Sequence, residues 1–359
     1  MPLPQHGSNP SHLLQSLGMK QPKNMIDFSV NVNPFGMPAS VRDLWGTFVR
    51  LIEDYPDPTS KKLRSALAAH EGIDENNILI GNGAAELIFL LANVFRERDV
   101  LIVDPTFSEY RTASETFGCR VHSFALLEEN DWQLDVDSLV AELSGKNALF
   151  LCNPNNPTGV RYDKQRLLSM IEKANELAVT VVIDEAFYDF CSEADTLVSN
   201  VNEYSNLVIL RSFTKMFAIP GIRLGWLAAS AEMISRLESL KPHWSVNAVA
   251  AEIGMLCLHE PDYAARTRKA IEADRERMKA EVKKLDFVVS NSCVNYYLLR
   301  EAEKMNMQPL LRFLIKEGIV PRHTENFIGL DGCYLRLAVR KQEENDRLLK
   351  ALESWRHSC

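Results

Sequence analysis

Short, unbroken apolar runs recur through the first two thirds of the chain, and each gives way to a turn and then to a helical pattern. Residues 78–80, 100–103, 121–126, 148–152, 179–183 and 207–210 predict strands, while 60–69, a stretch ending at 95, 107–117 and 164–178 predict helices. Ser60 is the expected N-cap of the first of these helices. Strands that are apolar on both faces and alternate with helices imply an α/β fold, with a mostly parallel central sheet covered by helices.

The pattern differs on either side of this block. Residues 1–40 read as an arm, with a short helix over 13–17 and one alternating strand over 28–32. That alternation puts Asn31 and Asn33 on one side, either as site groups or as turn formers. From about 241 a long charged helix over 263–284 precedes short strands at 287–289, 296–299, 319–320 and 334–339, with helices at 308–317 and 342–355. The expected division is therefore an arm (1–40), a large domain (41–240) and a smaller α+β domain (241–359).

Composition narrows the possible functions. A net charge of −8 with both signs interspersed argues against a nucleic-acid or anionic-membrane binder. No apolar run is long enough to span a bilayer, and the first residues lack the character of a signal peptide. The seven cysteines are scattered without a C-x-x-C pair, so no metal site or disulfide framework is expected, and a reducing cytoplasm suits them.

Chemically loaded segments follow the predicted strands, where parallel sheets bind ligands. After 207–210 come Ser212, Thr214 and Lys215, and then Arg223 between Gly221 and Gly225. A lysine beside hydroxyls and a guanidinium is suited to condensing with a phosphorylated aldehyde cofactor; a surface lysine with Arg223 in an ion pair is the plainer alternative. Gly81-Asn82-Gly83-Ala84-Ala85-Glu86 begins like a dinucleotide fingerprint but has Glu86 in place of the third glycine, leaving backbone N–H groups for a phosphate or an ordinary tight turn. Asn153 to Gly159 is a rigid polar loop. Asp184 ends an apolar strand and needs a cationic partner, either a heterocycle nitrogen or a protein Arg or Lys. Arg336 sits inside an apolar strand and needs an anion, from a substrate or from the protein.

In order and spacing, Asn153–Gly159, Asp184–Phe187, Ser212–Lys215 and Gly221–Arg223 resemble the fold-type-I pyridoxal-phosphate enzymes over nearly the whole chain. Within them the chain is most similar to the histidinol-phosphate aminotransferase branch and its threonine-phosphate decarboxylases, through His6-Gly7-Ser8-Asn9, the 27–38 arm, Phe187 and Ala338-Val339-Arg340. The resemblance implies pyridoxal 5'-phosphate as cofactor, with Lys215 carrying it, Asp184 facing its ring nitrogen and Asn156 facing its ring hydroxyl. It implies Phe107 stacked on the ring, and Gly83, Ala84, Ser212, Thr214 and Arg223 around the phosphate. Tyr55 would reach the phosphate of the other subunit, which implies a homodimer with shared active sites. His6, Gly7, Asn31, Asn156, Arg322 and Arg336 would surround a small phosphorylated amino acid. The implied reaction is decarboxylation of O-phospho-L-threonine to (R)-1-amino-2-propanol O-phosphate, a step of cobalamin biosynthesis. The alternative is transamination of the histidinol-phosphate type. Phe187 stands where those aminotransferases usually carry tyrosine, which weighs against it.

Overall fold

The arm enters through the helix Pro10–Leu17 and the strand β1 (Ile26–Asp27), in a computed structural model that describes residues 3, 4, 7, 9–192, 195–303 and 305–358. The strand lies just ahead of the predicted 28–32. Beyond it only Phe28 keeps sheet-like bonds, donating to Val320 O at 2.8 Å and accepting from Ala338 N at 2.9 Å. The alternation is real but inverted. Ser29, Asn31 and Asn33 point inward and are buried, while Val30 and Val32 are half-buried. Asn33 donates to Met216 O at 2.8 Å, and its backbone N–H donates to Lys215 O at 3.0 Å. The arm thus grips the lysine-bearing loop.

The central sheet has seven strands: β2 (Ile78–Gly81), β3 (Asp99–Asp104), β4 (Arg120–Ala125), β5 (Ala148–Cys152), β6 (Thr180–Asp184), β7 (Leu207–Ser212) and β8 (Gly225–Ala229). Their order is β2-β8-β7-β6-β5-β3-β4. Every pairing is parallel except those of β8, which runs antiparallel to both β2 and β7. The link from β7 to β8 is a tight loop with one 3-10 turn, Pro220–Ile222, and no crossover helix, so the chain can only return antiparallel. Strands β5 and β7 are buried at every position, which is why they read as unbroken apolar runs; β8 is equally buried but is not among the predicted strands. One expectation fails nearby. Ser60 stands before the helix Lys61–Glu71 at φ +50° and makes no side-chain cap, whereas Asp57 accepts from Lys61 N at 2.7 Å and does that work.

The C-terminal part is built on β9 (Phe287–Val289), β10 (Tyr296–Glu301), β11 (Ile319–Val320), β12 (Arg322–His323) and β13 (Leu335–Ala338). Four of them form an antiparallel sheet in the order β12-β13-β10-β9, and β11 pairs in parallel with β1 of the arm. In this register Arg322 lies directly opposite Arg336. Like charges so placed repel each other, and the arrangement asks for an anion. Among the described residues no helix is long and apolar enough to cross a membrane.

Candidate active site

A cavity of about 230 Å³ opens at the carboxyl ends of the parallel strands, where β5 to β7, the helix Gly83–Val94, the arm and the C-terminal sheet meet. Gly7, Asn31, Gly83, Ala84, Phe107, Asn156, Asp184, Ser212, Thr214, Lys215, Arg223, Arg322 and Arg336 all line it. His6 lies outside the described residues. Tyr55 is 82% exposed, with its ring 5.2 Å from that of Trp244, and it does not line this cavity.

One end is a cradle for an anion. The helix Gly83–Val94 begins right after β2, so its first N–H groups have no intrahelical partners. Gly83 has φ +78°, and a Cβ there would lie 2.7 Å from Arg223 Nη2; only glycine lets the guanidinium come this close. Ser212 Oγ and Thr214 Oγ1 are 2.8 Å apart. Arg223, itself at φ +61°, donates to Pro220 O at 3.1 Å and has no carboxylate partner among the described residues, so the ion-pair reading of it fails. Two hydroxyls, a guanidinium and a helix N-terminus form a donor set suited to a phosphate.

Between the ends stand Lys215 and Asp184. Burial, followed by the charges of Arg336 and Arg223, lowers the Lys215 amine to about 8, with Asp184 acting in the opposite direction. The reactive form is the neutral amine, whose fraction rises with pH. Capture of pyridoxal phosphate by the apo-protein is therefore expected to accelerate as pH rises through about 8 and then to level off. Stopped-flow absorbance would follow it; a rate still climbing well past that pH would mean the amine is unperturbed.

Asp184 accepts from Tyr110 Oη at 2.6 Å and from Ala186 N at 2.9 Å. Among the described residues it has no Arg or Lys within ion-pair distance, so the structural salt bridge is not found. Burial raises its carboxyl, opposed by those two bonds and by the Lys215 charge. A buried carboxylate aimed into a cavity with only neutral donors suits a cationic ring nitrogen. Tyr110 is a site residue that sequence reasoning missed. It falls three positions after Phe107, which stands just ahead of the helix Glu109–Thr116, and the two rings meet edge to face at 5.8 Å. That i, i+3 aromatic pair was the available signal.

The far end is cationic. Arg336 donates to Asn156 Oδ1 and, at 2.8 Å, to Ser29 O. With its amide oxygen turned inward, Asn31 accepts from Arg336 Nη1 at 3.1 Å and Nε at 3.3 Å. No carboxylate among the described residues pairs with Arg336. Burial pushes Arg336 down to about 10, and burial together with the Arg336 charge pushes Arg322 down to about 9. A bound anion would relieve both. Phe187 lines the cavity without a hydroxyl, and the Tyr188 ring turns away to lie 4.3 Å beneath the Arg211 guanidinium. Phe327, also unforeseen, closes the wall beside Arg322.

The lysine, the buried carboxylate and the two anion sites fit a pyridoxal phosphate cofactor. Comparison with known proteins agrees. The chain is 36% identical over 352 residues to a threonine-phosphate decarboxylase of Salmonella typhimurium, covering 97% of this chain and 96% of that one. The structure of L-threonine-O-3-phosphate decarboxylase from Porphyromonas gingivalis matches with a TM-score of 0.85 at 26% identity, over 92% of this chain and 99% of that one. The histidinol-phosphate aminotransferase from Clostridium acetobutylicum matches with a TM-score of 0.88 at 29% identity, over 93% of this chain and 100% of that one. The family model for aminotransferase class I and II matches residues 23–352, and the chain belongs to that family.

Proposed function

We propose that this protein is a pyridoxal-phosphate-dependent decarboxylase that converts O-phospho-L-threonine to (R)-1-amino-2-propanol O-phosphate, as cobalamin biosynthesis requires. The observation that carries the reading is the pairing of Arg322 with Arg336, two buried guanidinium groups in register at the end of the cavity away from the cofactor cradle. A substrate bearing both a phosphate and a carboxylate matches them. The 36% identity to a threonine-phosphate decarboxylase and the missing hydroxyl at Phe187 favour carbon dioxide loss over amino transfer.

When bound, the cofactor takes up the electron pair left by the bond that breaks. Lys215 carries it, Asp184 holds the proton on its ring nitrogen, Asn156 meets its ring hydroxyl and Phe107 covers its ring. Gly83, Ala84, Ser212, Thr214 and Arg223 hold its phosphate. Tyr55 serves the cavity of a second copy in a homodimer, a role that its exposure, beside exposed Trp45, Val49, Ile52 and Trp244, supports. His6, Gly7, Asn31, Arg322 and Arg336 would orient the substrate so that its carboxylate, rather than the Cα hydrogen, is the group that is lost. Carbon dioxide leaves, and Lys215 Nζ returns a proton to Cα. The reading keeps the chain in three parts, an arm (1–40), a cofactor-binding domain (41–240) and a smaller domain (241–359).

The test compares O-phospho-L-threonine with L-threonine. Removing the phosphate should lower kcat/KM by roughly 10³-fold, because the substrate loses the charged group that the buried cations hold. Arg322→Gln should raise KM for the phosphorylated substrate by about 30-fold while leaving the weak reaction of threonine unchanged. Equal handling of the two substrates by the wild-type enzyme would refute the reading.

A further inference from the structure

Tyr296 is fully buried at the start of β10 and is not among the residues that line the cavity. It nevertheless touches two residues of that wall, Phe187 and Arg336, and the backbone next to a third, Asn156. Its hydroxyl donates to Asn155 O at 3.0 Å, one residue before Asn156. Its ring meets the Phe187 ring at 4.8 Å and 81°, edge to face. The Arg336 guanidinium carbon lies 5.4 Å from its ring centroid. Arg336 in turn donates to Asn156, so a loop runs from Tyr296 through Asn155 and Asn156 to Arg336 and back to the ring. Asn156 and Phe187 come from the central-sheet side and Arg336 from the C-terminal sheet. Ser290 Oγ, donating to Thr158 O at 2.6 Å, and Cys293 N, donating to Gly159 O at 2.9 Å, stitch the same loop to the same sheet.

We propose that Tyr296 is the positioning residue that fixes Arg336 against Asn156 and Phe187, and through Arg336 sets how an amino phosphate is held. Both ends of the side chain are used. The π-face gives the buried guanidinium a polarisable neighbour where no carboxylate among the described residues pairs with it. The hydroxyl ties the loop backbone, so its removal leaves a buried carbonyl without that donor. Small displacements of a binding group are amplified in the reaction, because geometry at the reacting bond enters exponentially. The inference rests on the site reading above, but it concerns binding and so can be tested separately from the reaction.

The experiment uses reconstituted holoenzyme and two variants, Tyr296→Phe and Tyr296→Leu. The dissociation constant of O-phospho-L-threonine is read from the change in cofactor absorbance, beside the affinity for pyridoxal phosphate itself. Tyr296→Phe keeps the ring and should weaken substrate binding about fivefold, from the lost hydroxyl bond. Tyr296→Leu should weaken it roughly 30-fold, from the lost ring face. Cofactor affinity should fall much less than substrate affinity in both, since Asn156 is the one proposed cofactor contact coupled to Tyr296, while Gly83, Ser212, Thr214 and Arg223 of the phosphate cradle touch neither its ring nor its hydroxyl. Unchanged substrate binding in either variant, or substrate and cofactor weakening in parallel, would overturn the proposal. If Tyr296→Leu does not fold, Tyr296→Phe decides alone. If the wild type releases no carbon dioxide, the reaction assigned above fails; the same ratios are then read with histidinol phosphate, and unchanged ratios there overturn the role of Tyr296.

Discussion

Replacing Lys215 by alanine is expected to lower carbon dioxide release from O-phospho-L-threonine by about 10³-fold or more, with the fold intact. In the proposed mechanism the side chain supplies both the amine that carries the cofactor and the proton that returns to Cα. Its backbone is anchored independently of the side chain, since Asn33 N–H donates to its carbonyl at 3.0 Å. Alanine keeps that anchor, so the loss comes from the amine and not from the loop. The variant should still retain pyridoxal phosphate weakly through the phosphate cradle, without the absorbance of a lysine-linked cofactor. Near wild-type turnover by Lys215→Ala would remove Lys215 from the mechanism.

Asp184→Asn is expected to lower kcat by roughly 10²- to 10³-fold with little change in KM. The substitution keeps the shape of the side chain. Its amide can still accept from Ala186 N and face the Tyr110 hydroxyl, which rotates to accept instead of donate. Only the negative charge is lost, and with it the group proposed to keep the ring nitrogen protonated as charge develops. The KM for substrate should hold because Arg322 and Arg336 are at the far end of the cavity. Comparable losses in kcat and thermal stability would instead mean that Asp184 acts mainly in the core.

The parallel strands were legible because they are buried on both faces, so β5, β6 and β7 stand out as apolar runs. Strand β8 was hidden because it begins at the end of the segment Gly221–Trp226, where the glycines and Arg223 read as site chemistry rather than as structure. Strand β12 left no pattern at all, since two residues, Arg322 and His323, have no periodicity. The pairing of Arg322 with Arg336 appears only once β12 and β13 lie side by side. In the arm the alternation was visible but its polarity was not, because Asn31 and Asn33 face a polar cavity wall and a helix, not solvent. Asp184 was legible at a strand end and Lys215, Asn156 and Arg223 in the loops that follow strands, and the family resemblance supplied the roles proposed for them. Tyr110 and Tyr296 were missed for one reason: they act through other side chains, and an aromatic in a buried element looks like core.

The central claim is most directly tested by one paired assay on the purified protein loaded with pyridoxal phosphate. Carbon dioxide is measured from O-phospho-L-threonine, and glutamate from histidinol phosphate with 2-oxoglutarate. The account predicts stoichiometric carbon dioxide with (R)-1-amino-2-propanol O-phosphate, and little glutamate. Rapid glutamate formation without carbon dioxide would contradict it and make the chain an aminotransferase.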